Sequence, residues 1–306
     1  MKTIAIRRRI LTPLTFSICA WLALAQAVDA QVYVANYGAD SIGAYALSGA
    51  AIDPSLVTGI PRNYGGPYQL ATDGNTLFAL THQGISEYNF DGSTVNSSLI
   101  SLSNPGNGMA ISGNDIFVAT GPGTIGEFTT SGATVTPSLI SGLDLITGMA
   151  ISGNDLFVSQ YQQGVISEYT LSGALVNPAV ISGLYYPTAL AISGNDLFVV
   201  NFNGANASHI GEYSLSGATI NPSLVGGLTG GPSGLGVAGN DLYVGNVYSG
   251  SVGEYTLSGG TVDSSLITSL SNPEALLVVP EPSALSLVFA GAGAVWLNRR
   301  RPGYGK

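Results

Sequence analysis

Positive charge, histidine and cysteine are all scarce in this 306-residue chain. Lysine and arginine total nine, and eight of them lie at the two ends: Lys2, Arg7, Arg8 and Arg9, then Arg299, Arg300, Arg301 and Lys306. Between residues 31 and 279 only Arg62 is basic, against 16 carboxylates, so that segment carries a formal charge of −15. Such a surface repels phosphate backbones, which excludes nucleic acid as a partner. It also has almost no cations from which to build salt bridges. The sole cysteine, Cys19, falls in the first 30 residues, so the rest has no disulfide, thiol nucleophile or thiolate metal site. The two histidines, His82 and His209, read as solvated residues of non-equivalent loops. No Ser-His-Asp spacing, phosphate-binding glycine loop or zinc motif appears. Charged residues are only 9%, yet 45% of the chain is hydrophobic, which argues against disorder. Forty-two glycines beside many Val, Ile, Leu and Tyr point to short strands joined by tight turns.

Both ends differ from this body. Residues 1–30 have the three parts of a secretory signal: a basic start, an apolar run from Ile10 to Ala27, and small residues at Val28 and Ala30 that place Gln31 first in the mature chain. Ala25-Gln26-Ala27 is an alternative cleavage site. Ile18 before Cys19 disfavours lipoprotein processing, and Arg7-Arg8-Arg9 loosely fits a twin-arginine pattern. At the other end, residues 284–297 form an apolar run expected to be helical. Fourteen helical residues span about 21 Å, short of the roughly 30 Å hydrocarbon core. The arginines after it belong on the cytoplasmic side, as do those of the leader. The acidic middle would then lie across the membrane, held transiently at both ends. An ordinary single-pass tail anchor is the competing reading.

Internal repeats organise what lies between. "ISGNDIFV" begins at Ile111, "ISGNDLFV" at Ile151 and Ile192, "VAGNDLYV" at Val237, and a degenerate "TDGNTLFA" at Thr72. A second motif follows: "GAYALSG" at Gly43, "SEYNFDG" at Ser86, "GEFTTSG" at Gly126, "SEYTLSG" at Ser167, "GEYSLSG" at Gly211 and "GEYTLSG" at Gly253. The first asparagine of the turn recurs at 75, 114, 154, 195 and 240. A period near 40 residues with four strands per unit predicts an all-β, six-bladed β-propeller. In one unit the strands fall at 147–152, 155–160, 165–171 and 175–181, with Gly153-Asn154 as a two-residue hairpin loop and Pro178 on an outer edge. "QVYVANYG" at residue 31 lacks an inner strand before it, and "PEALLVV", ending at Val279, has no partner after it. Pairing of 275–279 with 32–36 would close the ring through the termini. The expected organisation is a signal peptide at 1–30, the propeller at 31–279 and a terminal segment at 280–306.

Two resemblances add to this reading. Pro280-Glu281-Pro282, the apolar run and the cluster Arg299, Arg300, Arg301 together resemble a PEP-CTERM sorting signal. That implies a Gram-negative source, export, and exosortase and secretion machinery as partners. It also implies cutting near the Pro-Glu-Pro in a system tied to exopolysaccharide, leaving the product periplasmic, at the cell surface or in the matrix. The repeat resembles NHL-type six-bladed propellers, in which a P-x-x-[LM]-A segment precedes a strand. This likeness lies in structural positions and carries fold rather than function.

Chemistry is harder to place. Asp115, Asp155, Asp196 and Asp241 follow the hairpin asparagine and read as turn residues tolerant of unusual backbone angles. Glu87, Glu127, Glu168, Glu212 and Glu254 recur on the third strand; spacing leaves structural calcium there open, and no other cofactor is expected. Two rings should border the channel. The inner strands begin at Tyr68, Asn107, Thr147, Thr188, Ser233 and Glu274, and the second strands end at Asn36, Thr81, Thr120, Gln160, Asn201 and Asn246. One carboxylate and no histidine make a poor catalytic metal cage. Amides beside aromatics suit a neutral sugar instead, so the expected ligand residues are Asn36, Tyr37, Gln160, Tyr161, Asn201, Phe202, Asn246, Tyr248 and Glu274. The same residues are also what a low-charge strand protein uses in its loops. The first expectation is therefore a non-enzymatic exported propeller that binds polysaccharide or other surface proteins. The alternatives are a propeller-type hydrolase or lyase with a channel metal, and a calcium-stabilised scaffold.

Overall fold

A computed structural model describes residues 30–60, 65–103, 105–204 and 208–279. Six four-stranded antiparallel sheets make up these residues. The first blade runs outward from the channel as Pro273–Val279, Gln31–Asn36, Ser41–Ala46 and Ala51–Val57. Blades two to six follow in chain order at 69–101, 109–141, 146–181, 187–228 and 232–267. The inner strands touch their neighbours in a closed circle, the last meeting Pro273–Val279. That strand pairs antiparallel with Gln31–Asn36, Val34 opposite Leu276 and Ala35 opposite Ala275. The ring thus closes through the two ends of the body as the repeat phase required, and no inner edge is left open. Among the described residues the only helical element is a 3-10 turn at Tyr37–Ala39, and no helix there is long and apolar enough to cross a membrane. The expected helix at 284–297, the motif Pro280, Glu281, Pro282 and the arginine cluster lie outside the described residues, as do residues 1–29.

Alternation explains the core. A strand points successive side chains to opposite faces, and each second strand is sandwiched between two neighbouring blades. Both of its faces are therefore apolar. Leu77, Phe78, Ala79 and Leu80 are fully buried, with Leu77 and Ala79 packed toward blade one and Phe78 and Leu80 toward blade three. The equivalent aromatic recurs as Tyr33, Phe78, Phe117, Phe157, Phe198 and Tyr243, none more than 2% exposed. Six hydrophobic clusters result, one at each blade junction.

The third strand shows why its motif reads small-acid-aromatic. In Gly126-Glu127-Phe128, a Cβ on Gly126 would lie 2.9 Å from the Pro137 carbonyl and 3.0 Å from the Phe128 ring. The carbonyl is that close because the outer strand bulges there: Ile125 pairs with Ile140 but Glu127 with Thr136. The same bulge occurs in every blade. In five blades an Asn or Asp at its start accepts the backbone N–H two residues on, as Asn177 Oδ1 does from Ala179 at 3.1 Å. Serine fits where its hydroxyl donates to the bulge carbonyl, as Ser86 does to Ser97 at 2.8 Å. The outer strands are exposed, and Pro178 sits on one of them, where its missing N–H breaks no ladder.

Turn glycines lock the blades together. Gly49, Gly92, Gly132, Gly173, Gly217 and Gly259 all have φ between +79° and +89°. Each faces a carbonyl on the outer strand of the preceding blade; for Gly132 a Cβ would stand 2.7 Å from Leu99 O. Gly49 meets Leu266 of the sixth blade, so this contact runs round the whole circle.

Candidate functional site

The inner strands converge on a cavity of about 320 Å³. Its wall includes all six residues expected at their starts: Tyr68, Asn107, Thr147, Thr188, Ser233 and Glu274. A second cavity of about 170 Å³ shares Tyr161, Thr188, Ser233 and Glu274 with the first and adds Phe202 and Tyr248. The two are adjoining lobes of one mouth. Hydroxyl-to-carbonyl bonds between blades set this wall: Thr147 Oγ1 donates to Pro187 O at 2.6 Å and Ser233 Oγ to Glu274 O at 2.7 Å. Thr188 Oγ1 is buried and meets no partner among the described residues.

Among the described residues Glu274 is the one carboxylate on either wall. Burial holds its carboxyl above the usual glutamate range, only partly offset by Ser233. No cation lines the cavities, and the described residues contain no lysine or arginine.

Aromatic rings crowd one side of the mouth. Tyr161 and Tyr186 stack with centroids 4.6 Å apart and planes 18° apart; Tyr185 meets Tyr186 edge-on at 4.6 Å. Phe202 and Tyr248 meet edge-on at 6.4 Å. Tyr161, Phe202 and Tyr248 share the wall of the smaller lobe, and burial, helped by Tyr186, Tyr248 and Tyr185, raises the Tyr161 hydroxyl. Tyr248 is 67% exposed and Tyr185 51%. Tyr186 has φ +43°, a left-handed conformation that a bulky side chain rarely adopts. In that conformation its ring stacks on Tyr161.

Not every expected ligand residue reaches the cavity. Tyr161, Phe202, Tyr248 and Glu274 line it. The amides lie behind the wall. Gln160 accepts the Asp144 N–H at 3.0 Å and donates to Ser167 Oγ. Asn201, 1% exposed, accepts the Tyr185 N–H, and Asn36 is buried with Oδ1 unpartnered among the described residues. Asn246 donates to Val244 O and borders a separate outer cavity of about 450 Å³. Tyr37 packs toward His82, centroids 6.4 Å apart. At two strand ends the direction alternates: Gln160 and Asn201 point into the blade, and the next residues, Tyr161 and Phe202, turn out to the mouth. Tyr185, Tyr186 and Leu145 were missed because they sit in links without repeat register.

Three further expectations change. His209 lies in the strand Ser208–Ser214 opposite Asn201, not in a loop. His82 is half-buried, its ring 4.8 Å from that of Tyr68, rather than solvated. In the hairpins Gly113, Gly153, Gly194 and Gly239 take the positive φ, while the following Asn and Asp do not. The aspartates simply open the second strands, and glycine carries the strain because it has no Cβ. The third-strand glutamates are half-buried. Burial, then Asp155 or Asp196 on the adjoining strand, raises the carboxyls of Glu168 and Glu212. Among the described residues no three His, Cys, Asp or Glu side chains gather as a metal site.

Fold and mouth together define a six-bladed β-propeller with an aromatic-rimmed channel. Solved structures agree on the fold. A chain of "Crystal structure of Nidogen/Laminin Complex" is similar at TM-score 0.62 and 16% identity, over 81% of this chain and 98% of that one. A functionally unknown protein from Desulfotomaculum acetoxidans DSM 771 is similar at TM-score 0.56 and 14% identity, over 83% and 86%. At such identities the likeness is one of fold. No protein-family model and no curated protein matches the sequence.

Proposed function

We propose that this is an exported, non-enzymatic protein of the bacterial surface or matrix, an NHL-like propeller that holds glycan at its aromatic rim. The observation that carries the binding role is the arc of Tyr161, Tyr186, Phe202 and Tyr248 beside the amide side chains Gln69 and Asn107 of the larger lobe. Sugar rings present apolar C–H faces that stack on aromatics, and their hydroxyls pair with neutral donors and acceptors. A concave, mostly neutral mouth is also the common place for a ligand.

Export and sorting rest on the sequence of the ends. The strand Pro273–Val279 finishes where Pro280 begins, so removal at the Pro-Glu-Pro would leave every blade intact. Exosortase and the secretion machinery are then the transient partners. Mass spectrometry of the protein from its native envelope tests this. The expected ends are Gln31 and a residue near Pro282; a product still ending at Lys306 refutes processing. For the binding role, affinity electrophoresis against the source's own exopolysaccharide should show retardation that Tyr248→Ala weakens. Unretarded migration of the intact protein would refute it.

A further inference from the structure

Glu274 gives the mouth a chemical preference that its aromatics alone do not. Its carboxylate is the one charge on either lobe, and among the described residues no lysine or arginine matches it. Glu274 is half-buried, so its charge is only partly screened by water and a cationic group on the ligand would be favoured beside it. The same lobe presents Tyr161, Phe202 and Tyr248, whose ring faces attract cations. The body's formal charge of −15 draws in cations and repels polyuronates. Carboxylate, ring faces and an acidic field thus select one ligand charge.

We propose that the mouth recognises an amine-bearing glycan, a polymer with unacetylated amino-sugar residues, whose ammonium pairs with Glu274 while a sugar face lies on the Tyr161–Tyr248 side. This rests on the glycan reading above and narrows it. Gln69 and Asn107, which line the larger lobe with Glu274, offer side-chain amides for the sugar. Tyr186, held at φ +43° against Tyr161, fixes that ring before any ligand arrives. The larger lobe, at about 320 Å³, gives a neighbouring sugar room within the ordinary range for small-ligand sites, roughly 300–1,000 Å³.

Calorimetric titration of the full protein in detergent, at neutral pH and low salt, tests the idea. The probes are a glucosamine hexamer, its fully N-acetylated counterpart and an oligouronate. The amine form should bind about tenfold or more tighter than the acetylated form, and the uronate not measurably. Glu274→Gln should abolish the preference, so that the amine and acetylated hexamers bind with equal affinity. Asp91→Asn removes one charge from an exposed turn and should keep the preference, which separates a site from bulk attraction. Equal affinity for both hexamers, or equal losses in the two variants, overturns the amine preference and leaves glycan binding standing. If neither hexamer binds a protein with native circular dichroism, the inference and the glycan reading both fall.

Discussion

Replacing Gly132 by alanine tests the contact that links the blades. Gly132 has φ +89°, and a Cβ there would stand 2.7 Å from the Leu99 carbonyl oxygen of the preceding blade. Two effects add. The left-handed backbone costs an L-residue about 1–2 kcal/mol. Forcing a methyl into a filled contact costs about 1–3 kcal/mol more. Gly142 is the control, with φ +79° and nothing within 4 Å of where its Cβ would stand. It carries the first effect without the second. Gly132→Ala should therefore lose about 2–5 kcal/mol and Gly142→Ala about 1–2 kcal/mol. Both tryptophans, Trp21 and Trp296, fall outside residues 31–279 of the sequence, so urea unfolding is best followed by tyrosine fluorescence and circular dichroism. At unchanged slope, the midpoint reads stability directly. Equal losses in the two variants would refute the idea that turn glycines serve the blade contact. They would then be serving only their own turns.

The remaining expectations concern charge, closure and the rim. Glu168, Glu212 and Glu274 all titrate above the ordinary glutamate value in the folded protein. A raised carboxyl pKa means that the folded state binds more protons across that window, so stability falls as pH rises through it. Melting temperature should climb from neutral pH down toward the unfolded value of about 4.3, and Glu274→Gln should flatten part of that climb; a fall on mild acidification would contradict the burial of these groups. Leu276, 6% exposed against Val32 and Val34, belongs to the strand that closes the ring. Leu276→Ala should cost about 2–5 kcal/mol in the same urea assay, and a negligible change would mean that the closing strand adds little. Tyr248→Ala, at a 67% exposed site, should leave the melting temperature within about 1 °C while weakening glycan retardation.

Sequence alone determined the architecture. The period near 40 residues, the recurring Gly-Asn hairpin and the two unmatched end strands specified six blades and their closure. Those signals are local: a turn glycine or an alternating apolar strand acts within a few residues of itself. The scarcity of cations was equally legible; it sets the acidic field and leaves no lysine or arginine beside Glu274 among the described residues. The six wall residues near the starts of the inner strands could be named in advance because the repeat puts them at equivalent positions, within two residues of where each strand begins.

Only the tertiary structure decided which of the expected ligand residues face the mouth. Asn36, Gln160, Asn201 and Asn246 were expected there with their aromatic neighbours, yet three of the four are closed behind the wall and Asn246 borders another cavity. One residue along the chain reverses a side chain's direction, and the local sequence does not say on which side of a blade the channel lies. The Tyr185-Tyr186 pair lies in a link, where no periodicity marks it, and meets Tyr161 only because two blades stand side by side. The glycine contacts from blade to blade are of the same kind: sequence shows a turn, while the carbonyl it must avoid belongs to another repeat.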